Sequence, residues 1–377
     1  MAGTTLDGKL TTAGTARVPF AVATPADDAD IRRLLRENPM SGQITLTLER
    51  EPDYFVDAGL PGTMKQTIVA NEGGRVVCVG SCVTRERFVN GQPHRVGYLG
   101  GLRLDARVTG RFDILRRGYE FFRELQTNKP ADFYFTSIAA DNTPARKFLE
   151  RGLPGMPIYE FIGEFVTVLL PVKGIAPTLT GLESDNLDSN ELIECLNEYG
   201  RDYQFAARWS EMELAALQSL NLKTDSFRVV RNGGRILACA ALWDQRPFKQ
   251  TVIRGYAPWL ATTRSVVNFA ASIIGGPRLP AVGSTLAHAF LSHFVVAPES
   301  MDVLPRLVAK FCAHAAERRV EYLTLGFAAN DPRLAMIRAR FKRREYRSRI
   351  YIVRWPNMGG TADQLDRRIL QPELALL

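Results

Sequence analysis

Hydrophobic positions recur along the chain in two rhythms. From Asp27 or Asp28 to Glu37, and again over Phe112–Gln126, apolar residues return every three to four positions. In the second stretch Phe112, Leu115, Tyr119, Phe122 and Leu125 share one face, the pattern of an amphipathic helix. Residues 143–151 read as a shorter helix. Residues 18–23, 65–70, 75–87, 94–104, 133–138 and 158–170 are instead rich in β-branched and aromatic residues, and predict strands. Asn71-Glu72-Gly73-Gly74 and Asn90-Gly91 separate neighbouring strands; Asn-Gly suits a two-residue hairpin, whose central residues need positive φ. Gly100-Gly101 lies inside the long strand at 94–104 and predicts a bulge or a splayed pairing there.

The pattern then repeats. Gly73-Gly74-Arg75-Val76-Val77 returns as Gly233-Gly234-Arg235-Ile236-Leu237. Thr136, Ala140, Asn142 and Pro144 return at the same spacing as Thr324, Ala328, Asn330 and Pro332. Two matches in the same order, in matching contexts, predict an internal duplication. The unequal offsets place an insertion in the second copy, at residues 257–290. Residues 171–186 are rich in Pro, Gly, Ser and Thr without periodicity, which reads as a linker. The expected plan is a loose terminus (1–16), a first domain (17–172), a linker (173–186), a second domain (187–356) and a tail (357–377). The fold class is α/β in the α+β sense, each copy a twisted mixed sheet flanked by helices.

With 46% hydrophobic and 23% charged residues, the chain has the apolar content of a packed globular protein, not of a disordered one. No apolar run reaches the ~20 residues that cross a bilayer, and the first ten residues lack the basic-then-apolar order of a signal peptide. Five dispersed cysteines without a C-x-x-C pair suit neither a disulfide framework nor a zinc site, so a reducing, cytoplasmic setting without a metal is expected. The net charge of +8 is uneven: residues 1–175 hold 22 basic and 20 acidic side chains, so the excess lies in the second half. Arg338, Arg340, Lys342, Arg343, Arg344, Arg347 and Arg349 supply much of it. Such a run is most often a solvated face, and nucleic-acid binding ranks last among the readings. Four histidines, and neither a nucleophile elbow nor a phosphate-binding P-loop, leave hydrolase and nucleotidase readings without support.

The stretch Leu102-Arg103-Leu104-Asp105-Ala106-Arg107-Val108-Thr109-Gly110-Arg111-Phe112 carries the candidate chemistry. It joins the long strand to the helix Phe112–Gln126 through a basic, glycine-bearing turn. Free amides at a helix N-terminus converge on an anion, Gly110 clears its approach, and Arg107 and Arg111 offer charge-assisted hydrogen bonds. An ordinary solvated turn has the same composition. Asn142, at the start of the next helix, reads equally as an N-cap.

On these residues the sequence resembles the GNAT superfamily of acyl-coenzyme A-dependent N-acyltransferases. Its Gln/Arg-x-x-Gly-x-Gly/Ala signature corresponds to Arg107-Val108-Thr109-Gly110-Arg111-Phe112. Its Asn-x-x-Ala-x-x-Leu/Phe-Tyr motif corresponds to Asn142 through Leu149, followed by Gly152. Phe112 stands where the family has a small residue, and Leu149 where it often has the tyrosine that protonates the departing thiolate. The resemblance covers residues 18–172 in order of elements. It implies that Leu102, Arg103 and Leu104 pair with pantetheine amides, that Arg107 through Phe112 hold the pyrophosphate, and that Asn142 touches the pantetheine arm. The cofactor implied is acetyl-CoA, the acceptor a small-molecule or peptide amine, and the reaction direct attack of the amine on the thioester. A non-catalytic acyl-CoA-binding or regulatory module is the alternative. Tyr98 and Tyr159 are substitutes for the missing acid on chemical grounds.

The second half resembles the same superfamily without its cofactor turn. Val296 to Val303 has no glycine, and its Glu299 and Asp302 would oppose a pyrophosphate. The sequence ends in Leu374, Leu376 and Leu377, which read as a patch over the domain interface. Some tandem members of the resembled family use the terminal α-carboxylate as base, which makes Leu377 the remaining candidate.

Overall fold

The computed structural model describes residues 18–40, 42–173, 187–273 and 278–377. The expected loose terminus, and all of the expected linker but its first residue, lie outside the described residues. In chain order the elements are β1 (Phe20–Val22), α1 (Asp28–Glu37), β2 (Ile44–Glu49), β3 (Thr63–Glu72), β4 (Arg75–Val89), β5 (Gln92–Leu104), α2 (Phe112–Gln126), β6 (Phe133–Ala139), α3 (Thr143–Leu149) and β7 (Ile158–Pro171). The second half continues with α4 (Ser189–Gly200), β8 (Tyr203–Gln204), α5 (Glu211–Ala216), β9 (Phe227–Asn232), β10 (Arg235–Trp243), β11 (Gln250–Tyr256), α6 (Pro258–Ile273) and β12 (His288–Val296). It closes with α7 (Leu304–Glu317), β13 (Tyr322–Ala328), α8 (Pro332–Arg340), β14 (Arg344–Arg354) and β15 (Ile369–Leu370).

Eleven strands form one mixed sheet in the order β1-β3-β4-β5-β6-β14-β7-β13-β12-β10-β9. The order is nearly symmetric about its centre, and the central strands are exchanged: β14 from the second half lies beside β6, and β7 from the first lies beside β13. The halves carry the same order of principal elements, α1-β3-β4-β5-α2-β6-α3-β7 and α4-β9-β10-β12-α7-β13-α8-β14. Thr136 and Thr324, matched in the sequence, occupy equivalent strands β6 and β13. Where the first half turns from β4 to β5 at Asn90-Gly91, the second inserts residues 244–287, including β11 and α6.

Each half has a helix on either face. The apolar stripe of α2 packs Phe122, with Tyr119 and Leu125 beside it, on one face of the first half. Ile31, Leu34 and Leu35 of α1 cover the other. In the second half α7 and α4 take those places. Strand β2, Ile-Thr-Leu-Thr-Leu-Glu, alternates apolar and polar residues in sequence but was not singled out there; in the fold its Thr47 and Glu49 are buried and Leu48 is exposed. It pairs with β11 and ties the halves together away from the main sheet. Four of the seven basic residues of the run are paired within the chain: Arg338 and Arg343 share Glu345, Arg347 meets Glu164 at 3.0 Å, and Arg349 meets Glu150 at 3.6 Å. No described helix is long and apolar enough to cross a membrane.

Candidate active site

The site begins with a parting of two strands. Strands β5 and β6 run parallel and paired from Val96 opposite Phe133 to Leu99 opposite Thr136. There Thr136 Oγ1 donates to the Leu99 carbonyl at 2.7 Å. On the other side of β5, Val79 opposes Arg103 but Ser81 opposes Gly100, so β5 carries one extra residue. This is the bulge that Gly100-Gly101 predicts. Gly101 adopts φ +67°, a conformation that favours glycine, and β5 swings away from β6. Beyond Leu99 the main chain of β5 has no pairing with β6, and a slot opens between them.

The strand ends at Asp105, whose carboxylate accepts from the Arg107 amide at 3.0 Å and from the Arg107 guanidinium at 3.0 and 3.1 Å. These bonds hold the Asp105 carboxyl well below its ordinary range. Gly110 then turns through φ +87° and α2 starts. Arg111, its N-cap, gives no side-chain cap. Both arginines of the turn already have carboxylate partners, Arg107 at Asp105 and Arg111 at Glu72 (2.9 Å) and Asp113 (3.0 Å). Two of these partners, Asp105 and Asp113, are two residues from their arginines and were legible in the sequence. Phe112, where a small residue was expected, packs edge-on against Phe148 of α3 at 5.7 Å. Val108 is buried under the turn, while Thr109 is exposed. Asn142 caps α3, its Oδ1 accepting from the Ala145 amide at 3.3 Å.

The two candidate tyrosines lie on opposite faces of the sheet. Tyr159 packs on the α2 side among Phe122, Tyr134, Val353 and Trp355, and its hydroxyl meets that of Tyr119 at 2.5 Å. Burial pushes its phenol well above the ordinary value. Tyr98 packs on the other face against Phe135, Phe205, Ile350 and Ile352, and Leu377 packs against the same cluster. Burial raises the Tyr98 phenol to about 12, opposed by Arg87 and Arg103. Tyr98 and Leu377 are thus brought together, and Tyr159 is set apart.

Around Tyr98 the face is unexpectedly polar. Arg85 and Arg87, on one side of β4 by its two-residue alternation, are both buried. Arg85 pairs with Glu213 at 3.1 Å and lies 4.2 Å from the Trp209 ring centre. Arg87 donates to the Phe205 carbonyl at 2.8 Å, and its Nε has no partner among the described residues. Lys65 meets Asp57 at 2.5 Å and sits 4.4 Å from the Tyr54 ring centre; Arg50 meets the same carboxylate at 2.8 Å. Lys249 donates to the main-chain oxygen of Leu377. Desolvation, reinforced by Arg50, brings the ammonium of Lys65 to about 8 and that of Lys249 to about 7. The strand ribbon brings these groups together: the Gln250 amide clasps Glu51 at 2.9 Å in both directions, drawing residues 50–57 against the second half. Sequence analysis did not select these residues, although two arginines at alternate positions of an apolar strand were a usable signal.

The second half repeats the bulge in detail. Cys239 opposes Val295 and Ala241 opposes Ser292, with His293 at φ +51° where the first half has Gly101. Here the tail fills the opening. The Glu373 carboxylate accepts from the His293 amide at 2.9 Å, and Gln371 Nε2 donates to the Phe294 carbonyl at 2.9 Å. Burial lowers His293 to about 3, so its imidazole is neutral.

No protein-family model and no curated protein sequence matches the chain. Solved structures do. N-myristoyltransferase of Saccharomyces cerevisiae with bound myristoyl-CoA superposes with a TM-score of 0.58 at 10% identity, over 94% of this chain and 88% of that one. A GCN5-related N-acetyltransferase from Sphaerobacter thermophilus gives 0.53 at 14% identity, over 92% and 98%. A tandem GNAT protein from the clavulanic acid biosynthesis pathway gives 0.51 at 12% identity, over 89% and 98%. The chain has the tandem GNAT fold.

Proposed function

We propose that this tandem GNAT-fold chain is an acyl-CoA-dependent N-acyltransferase that moves an acetyl group from acetyl-CoA to the amine of a small molecule or peptide. The observation that carries the reading is the slot: a strand that leaves its parallel neighbour at a glycine bulge and runs through a glycine turn into an uncapped helix. Main-chain groups of Leu102, Arg103 and Leu104 suit the amides of pantetheine. The turn Arg107–Phe112 and the first amides of α2 suit the pyrophosphate. Arg107 is solvent-exposed and Arg111 partly so, and their carboxylate partners can exchange for phosphate. Asn142 flanks the slot from the start of α3. In this reading residues 17–172 supply the coenzyme site, and residues 187–356 shape the acceptor side.

The chemistry follows from the Tyr98 face. A neutral amine attacks the thioester carbonyl, the N–C bond forms and the C–S bond breaks. The phenol of Tyr98, held neutral at about 12, donates a hydrogen bond to the departing thiolate. Tyr159 faces the other side and takes no part. The proton leaving the ammonium goes to the α-carboxylate that Leu377 carries in this sequence, oriented by Lys249.

Calorimetric titration with coenzyme A, followed by thiol release from acetyl-CoA with an amine panel, tests the proposal. Binding with transfer supports it, binding without transfer leaves a coenzyme-binding module, and no binding refutes both readings.

A further inference from the structure

We propose that the amine acceptor carries a carboxylate, and that Arg103 is the residue that receives it. The inference rests on the acyltransfer reading above and names the acceptor's class. Six cations gather on the face that holds Tyr98: Arg50, Lys65, Arg85, Arg87, Lys249 and Arg103, of which Arg85 is paired with Glu213 at 3.1 Å. Arg50 and Lys65 share one carboxylate, that of Asp57. Lys249 is spent on the Leu377 main-chain oxygen. Arg103 has no carboxylate within 4 Å among the described residues; its Nη1 is turned back onto the Leu102 carbonyl at 2.8 Å.

The bulge makes this placement possible. Because β5 gains a residue between Gly100 and Arg103, Arg103 comes onto the same face as Tyr98 and opposes Val79, beside Tyr54. Its guanidinium therefore stands at the end of β5 that lines the slot. A second guanidinium, that of Arg87, flanks Tyr98 from β4. Among the described residues it too has no carboxylate within 4 Å, is 1% exposed and has an unpartnered Nε; the buried Glu373 carboxylate acts on it only at longer range and is shared with Arg85. Buried charge without a paired counter-ion is costly, and on this desolvated face the cations outnumber the carboxylates of Asp57, Glu213, Glu373 and Leu377, which favours an anion from outside. The coenzyme's phosphates suit the turn at Gly110, where Arg107 and Arg111 stand after the strand has ended, whereas Arg103 and Arg87 both act on Tyr98, which leaves the acceptor to supply the charge there. A guanidinium holds a carboxylate through two parallel hydrogen bonds, so Arg103 fixes the acceptor's orientation as well as its charge.

The test compares acceptors that differ only in this group. The twenty amino acids and their carboxamides are offered to the full chain with acetyl-CoA, and thiol release gives kcat/KM. Acids are expected to exceed their amides at least tenfold. In Arg103→Gln that ratio is expected to collapse at least tenfold, with Arg103→Lys intermediate. Calorimetry with coenzyme A on each variant reports folding and the proposed function independently of any acceptor. Amides used as well as acids, or Arg103→Gln lowering both classes alike, would overturn the inference while leaving acyl transfer intact. Coenzyme A binding without transfer to either set overturns it too, and absent coenzyme A binding removes it together with the function beneath it.

Discussion

Gly110 turns at φ +87° with open space where a side chain would begin, so conformation and clearance can be tested separately there. Gly110→Ala meets only the left-handed backbone, a cost of about 1 kcal/mol, and should retain coenzyme A affinity to within about tenfold. Gly110→Asp adds a carboxylate beside the α2 N-terminus, and calorimetry should find binding lost. Equal affinity in the two variants would remove the turn from the phosphate site. Lys249 yields a different prediction, because its ammonium is held at about 7 against 10.5 in the unfolded chain. Between those values the unfolded chain keeps a proton that the folded one has released, so stability rises with pH. Lys65, at about 8, adds to the same slope at higher pH. Urea unfolding between pH 6.5 and 8.5 should show the wild type gaining stability, and Lys249→Met should flatten part of the rise while being the more stable protein at the acid end. Parallel curves for the two proteins would contradict this.

At the scale of elements, what the sequence discloses is local. The bounds of α2 follow from a 3.6-residue apolar period with a glycine turn before it, and the bulge follows from Gly100-Gly101. Two strands alternating correctly do not tell which faces they will share, so Tyr98 and Tyr159 were equivalent until β14 came between β6 and β7. Strand β2 has a clean two-residue alternation, yet its partner β11 begins some two hundred positions later and no local signal joins them. The carboxylate partners of the turn divide in the same way: Asp105 and Asp113 could be read beside their arginines, and Glu72 on β3 could not. The second bulge adds a consequence at this scale. With Glu373 and Gln371 seated on its main chain, coenzyme A should bind with a stoichiometry of one per chain, and a calorimetric value of two would show that the tail leaves. Gly326 on β13 lets that tail approach: a Cβ there would stand 2.6 Å from the Phe165 ring and 2.9 Å from Leu374 Cβ. Gly326→Ala should cost about 1–3 kcal/mol by overpacking, read as a lower urea midpoint.

For the whole molecule, the tail is where the two halves of the sheet meet one site. Strand β15 pairs with β8, Leu370 lies over Gly163 of the exchanged strand β7, and Leu374 lies over Gly326. Gln371 and Glu373 then close the second bulge, and Leu377 ends beside the cluster that holds Tyr98. A segment held by so many side chains needs no catalytic role to be retained, since its apolar contacts alone cover the interface. The base role is therefore separable from the packing role. Appending three glycines after Leu377 keeps every leucine of the tail and replaces its α-carboxylate by an amide, which accepts a hydrogen bond but cannot take the ammonium proton near neutrality. If that carboxylate is the base, the extended protein should bind coenzyme A with unchanged affinity and unfold at the same urea concentration, while kcat falls by roughly two orders of magnitude, the scale of a lost general base. Its remaining activity should climb steadily with pH as the free amine becomes more abundant, where the wild type levels off. Transfer that survives the extension with the wild-type pH profile would assign the tail to packing alone and send the search for the base to the other groups on the Tyr98 face.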